Sequence, residues 1–362
     1  MFDGARRMIK NKEVVSWARE VLYDLLTIPT DSGNEEAGIM YLLNILRELG
    51  YTDIYLQAVS KNMRNLIVNP IKSPTLVIAS HIDTIPILIK PEIIDDYTIV
   101  GTGACDAKGS IVSILLALRE IEELPERVSI VILSDEEEGG SGSVKYVEEF
   151  KPKYAIVMEP TDLNIATSGY GGLEMNISLS LEYAHPNIDA DEHGGELKRT
   201  ITSFLEDFTR LLSSMKLTFS IFQIKAVSPG FIVPKECEIK VEIPIPPGVN
   251  PFNVYKALIK AFSSEDTKIE ATEISFPFKT EDTIFMREIR RVYVNTYGKN
   301  PRFTKFPAWT DANNFALAGV KPIIFGPGTL NDAHSMREKI SIKDIVDAAK
   351  FLIGTIKEIK ID

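Results

Sequence analysis

The sequence predicts an α/β protein: a three-layer domain on a mostly parallel sheet, interrupted by a smaller inserted α+β domain of ferredoxin-like order. Three observations carry this expectation. Short apolar runs alternate with stretches of helical period through residue 169 and again from residue 276. Between them the texture changes to alternating apolar and polar residues, as in LEMNISLSLEY (173–183), the pattern of a strand with one wet face. A chain of 362 residues also exceeds what one ordinary core organises, so two domains are expected.

The elements follow in order. Helical spacing predicts helices over 12–27 and 35–49, the second opened by Asp31, Ser32 or Asn34 as cap with Glu36 close behind. Buried strands are predicted at 64–69 and 75–80, a helix at 107–123, and further strands at 128–134 and 154–158. Inside the insertion come a strand at 173–183, a helix at 195–215, strands at 217–226 and 236–245, a helix at 251–263 and a strand at 268–274. That order is β-α-β-β-α-β. Helices at 283–296 and 341–358 then flank a last buried run at 321–325. The expected division is therefore 1–169 with 276–362 as one domain, and 170–275 as the insertion.

Composition narrows the partners. With 44% hydrophobic and 25% charged residues the chain reads as soluble and globular. No run approaches the roughly eighteen apolar residues of a membrane span, and no apolar stretch follows the two early arginines as in a secretory signal, so a cytoplasmic location is expected. A net charge of -11, with 40 basic residues scattered among 51 acidic ones, argues against a nucleic-acid partner. Only Cys105 and Cys237 occur, which excludes a disulfide framework and favours a reducing compartment.

Several chemically capable residues fall just past predicted buried strands. His81 and Asp83 follow TLVIAS, Glu136, Glu137 and Glu138 follow VSIVILSD, Glu159 follows YAIVM, and His334 lies beyond KPIIFGPG. In an open α/β sheet that edge gathers ligands. Asp106 joins them from a Gly-rich turn, GTGACDAKG, whose spacing is that of neither a P-loop nor a dinucleotide fingerprint. Taken singly, each has an ordinary reading: a hydrogen-bonded loop histidine, a solvated acidic turn, a strand stopped by Pro160. Their joint placement at one edge sets them apart. Two histidines and three acids suit zinc-type dications, and two ions with three ligands each require one carboxylate to bridge. Ions about 3.5–4 Å apart can activate a water and polarise a carbonyl, which is hydrolase chemistry. Within the acidic triplet, one Glu can ligate while its neighbour acts as general base.

HIDTIP, GTGACDAKGS, SDEEEGGSGS, VMEPT and DAHSMREKI occur in the order and at roughly the spacings of the M20 metallopeptidase family, which the chain resembles over nearly its whole length. The resemblance implies that His81 and Glu159 hold one ion, that Glu137 and His334 hold the other, and that Asp106 bridges them. It implies zinc, or cobalt, as the metal. Glu136 would be the general base and Asp83 would orient His81. The insertion would be a lid that mediates dimerisation, with His185 reaching a partner's site to steady the oxyanion; a strand-end histidine that bonds locally is the alternative for His185.

Three positions depart from the pattern. Many relatives carry Arg where this chain has Gly172, Asn near Phe231 and Arg near Pro244. Arg matches a carboxylate in a bidentate fork, so these departures touch substrate choice and leave the metal positions filled. The expected activity is cleavage of the amide bond of an N-acylated amino acid, as in acetyl-lysine and acetylornithine deacetylases or carrier-protein-linked lysine hydrolases. A dipeptidase or carboxypeptidase, or a non-catalytic metal-binding descendant, is the alternative. For an acidic carrier, Lys198, Arg199 and Arg210 on the lid helix could form a basic patch, or simply a solvated face.

Overall fold

A computed structural model describes residues 12–86, 89–121, 123–181, 185–187 and 195–361. The chain falls into two compact units. The first holds the segments through Ser168, Lys279–Phe306 and Thr310 onward; the second holds Gly169–Phe278 with Pro307–Trp309.

The first unit opens with α1 (Lys12–Thr27), whose buried Val14, Ala18, Val21, Leu22 and Leu25 recur at helical spacing, and α2 (Glu36–Glu48). The cap expected at Asp31, Ser32 or Asn34 is not made. Glu35 stands at the N-cap without a side-chain bond, because the Ser32 hydroxyl is engaged by Asp83 and Glu35 itself accepts from the Gly33 N–H.

Strands β1 (Ile54–Ala58), β2 (Arg64–Val68), β3 (Leu76–His81), β6 (Val128–Leu133), β7 (Tyr154–Val157), β8 (Ile165–Gly169), β13 (Phe278–Lys279), β14 (Phe303–Phe306) and β15 (Lys321–Ile324) form one sheet. Its centre, β6-β3-β7-β15, is parallel; β1, β2 and β8 pair antiparallel toward the flanks. β3 and β6 are buried along their whole length, as a sheet covered on both faces requires. Leu76, Ile78, Ile130, Ile132 and Ile156 join one core with α1, α2, α3 (Gly109–Arg119), α7 (Thr283–Tyr297) and α9 (Ile342–Glu358). Tyr146 of α4 (Ser141–Glu149) stacks on Phe150 and meets Phe315 of α8 (Asp311–Leu317). A three-stranded sheet joins β4 (Glu92–Ile93) and β5 (Thr98–Val100) to β16 (Lys339–Ser341), tying the C-terminal loop to the hairpin before Asp106.

The helix expected at 107–123 starts later and ends earlier. Ala104–Lys108 forms a π turn in which Asp106 (φ -125°, ψ 90°) and Ala107 (φ -128°, ψ 27°) leave helical geometry, and α3 follows. The turn's amides bond across the chain to Glu338 and so do not propagate a helix. Gly103 (φ +82°) enters it in the left-handed region, and a Cβ there would lie 2.5 Å from the Thr84 methyl.

The second unit is the ferredoxin-like layer: β9 (Gly171–Ser180), α5 (Glu196–Ser214), β10 (Ser220–Lys225), β11 (Glu236–Ile245), α6 (Pro251–Phe262) and β12 (Thr267–Ile274). The sheet runs β10-β11-β9-β12, antiparallel throughout. Met175, Ile177, Ile239 and Val241 face Phe204, Phe208 and Leu258 of the helices. Glu174 pairs in register with Glu242 on one side and Glu273 on the other. Burial, then the charge of Glu174, raises the carboxyls of Glu242 and Glu273. Groups whose proton affinity rises on folding stabilise the fold at low pH, and that contribution is lost as the pH climbs through their folded-state values. Glu174→Gln should therefore raise the stability at pH 7 by about 0.5 kcal/mol. In thermal melts the gain over the parent should shrink toward pH 4.

Candidate metal centre

His81 ends β3, the acidic triplet follows β6, Glu159 follows β7, and His334 lies in the loop beyond β15. Because these four strands are parallel, their carboxyl ends share one edge. Asp106 reaches the same place from the π turn. His81 Nε2 lies 3.2 Å from Asp106 Oδ1, and His334 Nε2 lies 3.5 Å from Asp106 Oδ2, so one carboxylate faces both imidazoles. Glu159 Oε2 is 3.6 Å from His81 Nε2, and Glu137 Oε2 is 2.9 Å from His334 Nε2. Three donor groups result, His81–Asp106–Glu159, Asp106–Glu137–His334 and His81–Glu136–Glu137, each with donor atoms within 4.8 Å of one another; the first two share Asp106. Glu136 Oε2 lies 3.9 Å from His81 Nε2.

The surroundings fix these groups. His81 Nδ1 meets the backbone carbonyl of Asp83 at 3.0 Å, while the nearest Asp83 carboxylate oxygen is 3.6 Å away. The carboxylate itself accepts from the Glu136 N–H (3.0 Å), the Glu137 N–H (2.9 Å) and the Ser32 hydroxyl (2.9 Å). Asp83 thus approaches His81 most closely through its main chain, and its side chain bonds the turn bearing Glu136 and Glu137. Asp135 (φ 66°) and His334 (φ 51°) hold the left-handed conformation, which non-glycine residues rarely adopt outside constrained sites.

Electrostatically the cluster is short of positive charge. Burial pushes Glu136, Glu137 and Glu159 up, Glu159 to about 8, and neighbouring carboxylates add to the effect. Burial pulls the His81 imidazole down, yet Glu136, Glu159 and Asp106 outweigh it and hold the ring well above its ordinary value. The hydrogen bond to Glu137 lifts His334 to about 9. Divalent ions fit these positions: the donors are imidazole nitrogen and carboxylate oxygen, and Glu159 Oε1 is buried with no hydrogen-bond partner.

Sequence reasoning passed over some residues that shape this centre. Lys108 is buried and donates to the Leu25 and Ile28 carbonyls at 3.1 and 3.0 Å, anchoring the π turn on the end of α1. Asp311, in the first turn of α8, is buried and pushed up to about 7 by that burial. Lys108 lies inside GTGACDAKGS and Glu338 four residues after His334 inside DAHSMREKI, so both stand in quoted motifs, while Asp311 stands in none of them.

The second unit holds the remaining positions. His185 is exposed, with its ring edge-on to Phe231 at 5.6 Å between centroids. Gly172 and Pro244 are cross-strand partners, and a Cβ on Gly172 would lie 3.4 Å from Ser275 Oγ and 3.6 Å from Glu242 Oε1. Arg210 is paired with Asp207 at 2.9 Å, while Lys198 and Arg199 are exposed on α5.

The sequence profile of peptidase family M20/M25/M40 matches residues 77–358, a span that contains every member of the cluster. The chain belongs to this family. Among relatives of this M20 chain, the [LysW]-lysine/[LysW]-ornithine hydrolase of Sulfurisphaera tokodaii is 25% identical over 351 residues, covering 94% of this chain and 95% of that one. The acetylornithine deacetylase of Myxococcus xanthus is 28% identical over 268 residues, covering 69% of this chain and 70% of that one. The crystal structure of a tripeptidase from Staphylococcus aureus superposes with a TM-score of 0.77 at 21% identity, covering 95% of this chain and 98% of that one. As an M20 member the chain is a hydrolase.

Metal binding should be visible without any substrate. Protein stripped by a chelator and titrated with Zn²⁺ should gain thermal stability, about 2.7 kcal/mol when free metal reaches a hundred times its Kd. Asp106→Asn, which weakens both groups that Asp106 joins at once, should lose most of that gain in the same melting experiment.

Proposed function

We propose that the chain is a metal-dependent amidohydrolase cleaving the amide bond of an N-acylated amino acid, with carrier-protein-linked lysine or ornithine and their acetyl derivatives as the substrate class. The observation that carries this reading is Asp106, one carboxylate facing two imidazoles, with Glu136 outside both groups that Asp106 joins and 3.9 Å from His81. In this reading His81 and Glu159 hold one ion, Glu137 and His334 the other, and Asp106 serves both; zinc or cobalt matches the donors. The bound ions supply Lewis-acid polarisation and a more acidic water. Glu136 takes the proton from the attacking water and returns it to the leaving amine. Burial raises its proton affinity, which suits an acid–base group that must both accept and release a proton.

Coverage of nearly the full length of the Sulfurisphaera hydrolase supports the substrate class. Gly172 and Pro244 leave their part of the lid without a cation to fork a free carboxylate, with Glu242 beside Gly172 instead. Cys105 and Cys237 are both buried and free, in keeping with a reducing, cytoplasmic setting.

Glu136→Gln should keep both metals, measured by elemental analysis, while kcat falls at least a hundredfold. Amine release from acetyl-lysine, acetylornithine and simple dipeptides, with metal and with chelator, tests the class. No release from any of them, and none from a carrier-linked lysine, would sink the enzyme reading and favour a metal-holding binder.

The reading includes a homodimer through the lid, with His185 offered to the partner's site. Its support is β10, an edge strand of the lid sheet that exposes Ile221, Phe222 and Ile224. Exposed apolar edge strands invite pairing unless they are covered. Light scattering should give twice the chain mass, and Phe222→Lys with Ile224→Lys should give one.

A further inference from the structure

Glu338 is 1% exposed and stands outside the three donor groups, and both of its carboxylate oxygens accept hydrogen bonds. Oε1 accepts from the N–H groups of Cys105 (3.1 Å) and Asp106 (3.2 Å), and Oε2 accepts from the N–H of Gly103 (3.0 Å). Its own backbone carbonyl accepts from the Gly101 N–H at 3.1 Å. These four bonds run from the loop of His334 to the turn of Asp106, two segments far apart in sequence. β16 begins at the next residue and pairs with β5, which ends just before the turn, so the register of the small sheet sets Glu338 over those amides.

The geometry has a consequence for the centre. Asp106 must present one oxygen to His81 and the other to His334, which requires a fixed backbone at residue 106, and that residue lies outside helical geometry. Backbone carbonyls accept from the Ala104 and Lys108 amides of this turn, whereas the amides of Gly103, Cys105 and Asp106 turn to Glu338. Glu338 supplies the missing acceptors and, four residues from His334, ties the position of one ligand loop to the other. We infer that Glu338 is a positioning residue for the two-ion site, setting the reach of Asp106 between His81 and His334 without touching substrate or metal.

The inference rests on the two-ion reading above and has a readout of its own. Glu338→Gln keeps the shape but turns an NH₂ toward at least one of the three N–H donors. Glu338→Asp keeps the charge but shortens the reach by one carbon. Both proteins, metal-free, should show the parent's circular dichroism. In competition with a chromophoric chelator the parent should bind two Zn²⁺, and each variant should lose at least tenfold in affinity for one or both. The visible absorption of the cobalt-loaded variants should shift from the parent's. At saturating metal, kcat should fall at least tenfold with KM within threefold of the parent. Parental zinc affinity and cobalt spectrum in either variant would overturn the proposal, because packing alone or charge alone would then suffice. Loss of the fold in both variants would overturn it too, by assigning Glu338 to the core. A parent that binds fewer than two ions would instead bring down the two-ion reading, and this inference with it.

Discussion

A buried crowd of carboxylates that the chain cannot neutralise by itself is the constraint around which the first unit is arranged. Asp83, Asp106, Glu136, Glu137 and Glu159 converge on two histidines at the edge where four parallel strands end. Burying ionised acids costs several kcal/mol each unless positive charge or good donors come with them. The structure meets part of that cost with backbone amides: two for Asp83 and three for Glu338. Cations are what the remainder asks for.

The divided duty of the acids follows from where each one sits. Asp83 and Glu338 are turned toward N–H groups and act as braces. Asp106, Glu137 and Glu159 are turned toward imidazole nitrogens and form the donor sets. Glu136 stands apart from the Asp106 groups: its Oε2 lies 3.9 Å from His81 Nε2, and it shares a donor group with His81 and Glu137. Six acids of nearly the same chemistry thereby take three kinds of place, and backbone direction separates them.

Strained backbone clusters at the same edge. Asp135 and His334 both take positive φ, and Gly103 approaches Thr84 too closely for any side chain. Such conformations cost on the order of 1–3 kcal/mol and persist where the surrounding bonds over-determine them. Here the Ser141 N–H bonded to Asp135, the Glu338 clamp on the turn and the Lys108 anchor on α1 supply that determination.

Periodicity by itself determined the helices at 12–27 and 251–263 almost to the residue, the buried central strands, and the β-α-β-β-α-β order of the lid, because apolar spacing records which face is covered. The positions of strand ends and of the glycine-rich turn also marked His81, the Glu136–Glu138 triplet, Glu159, His334 and Asp106, and only the family resemblance picked Glu137 from its triplet. What periodicity cannot record is a bond between distant amides and a side chain. The π turn in place of a first helical turn at 107, the failure of the cap before α2, and the attachment of Asp83 to the turn of Glu136 all arise from such bonds. Glu338 is the clearest case: its three donors lie more than two hundred residues away in the chain. Local sequence chose the residue types, and only the folded backbone decided which acid meets amides and which one faces the imidazoles.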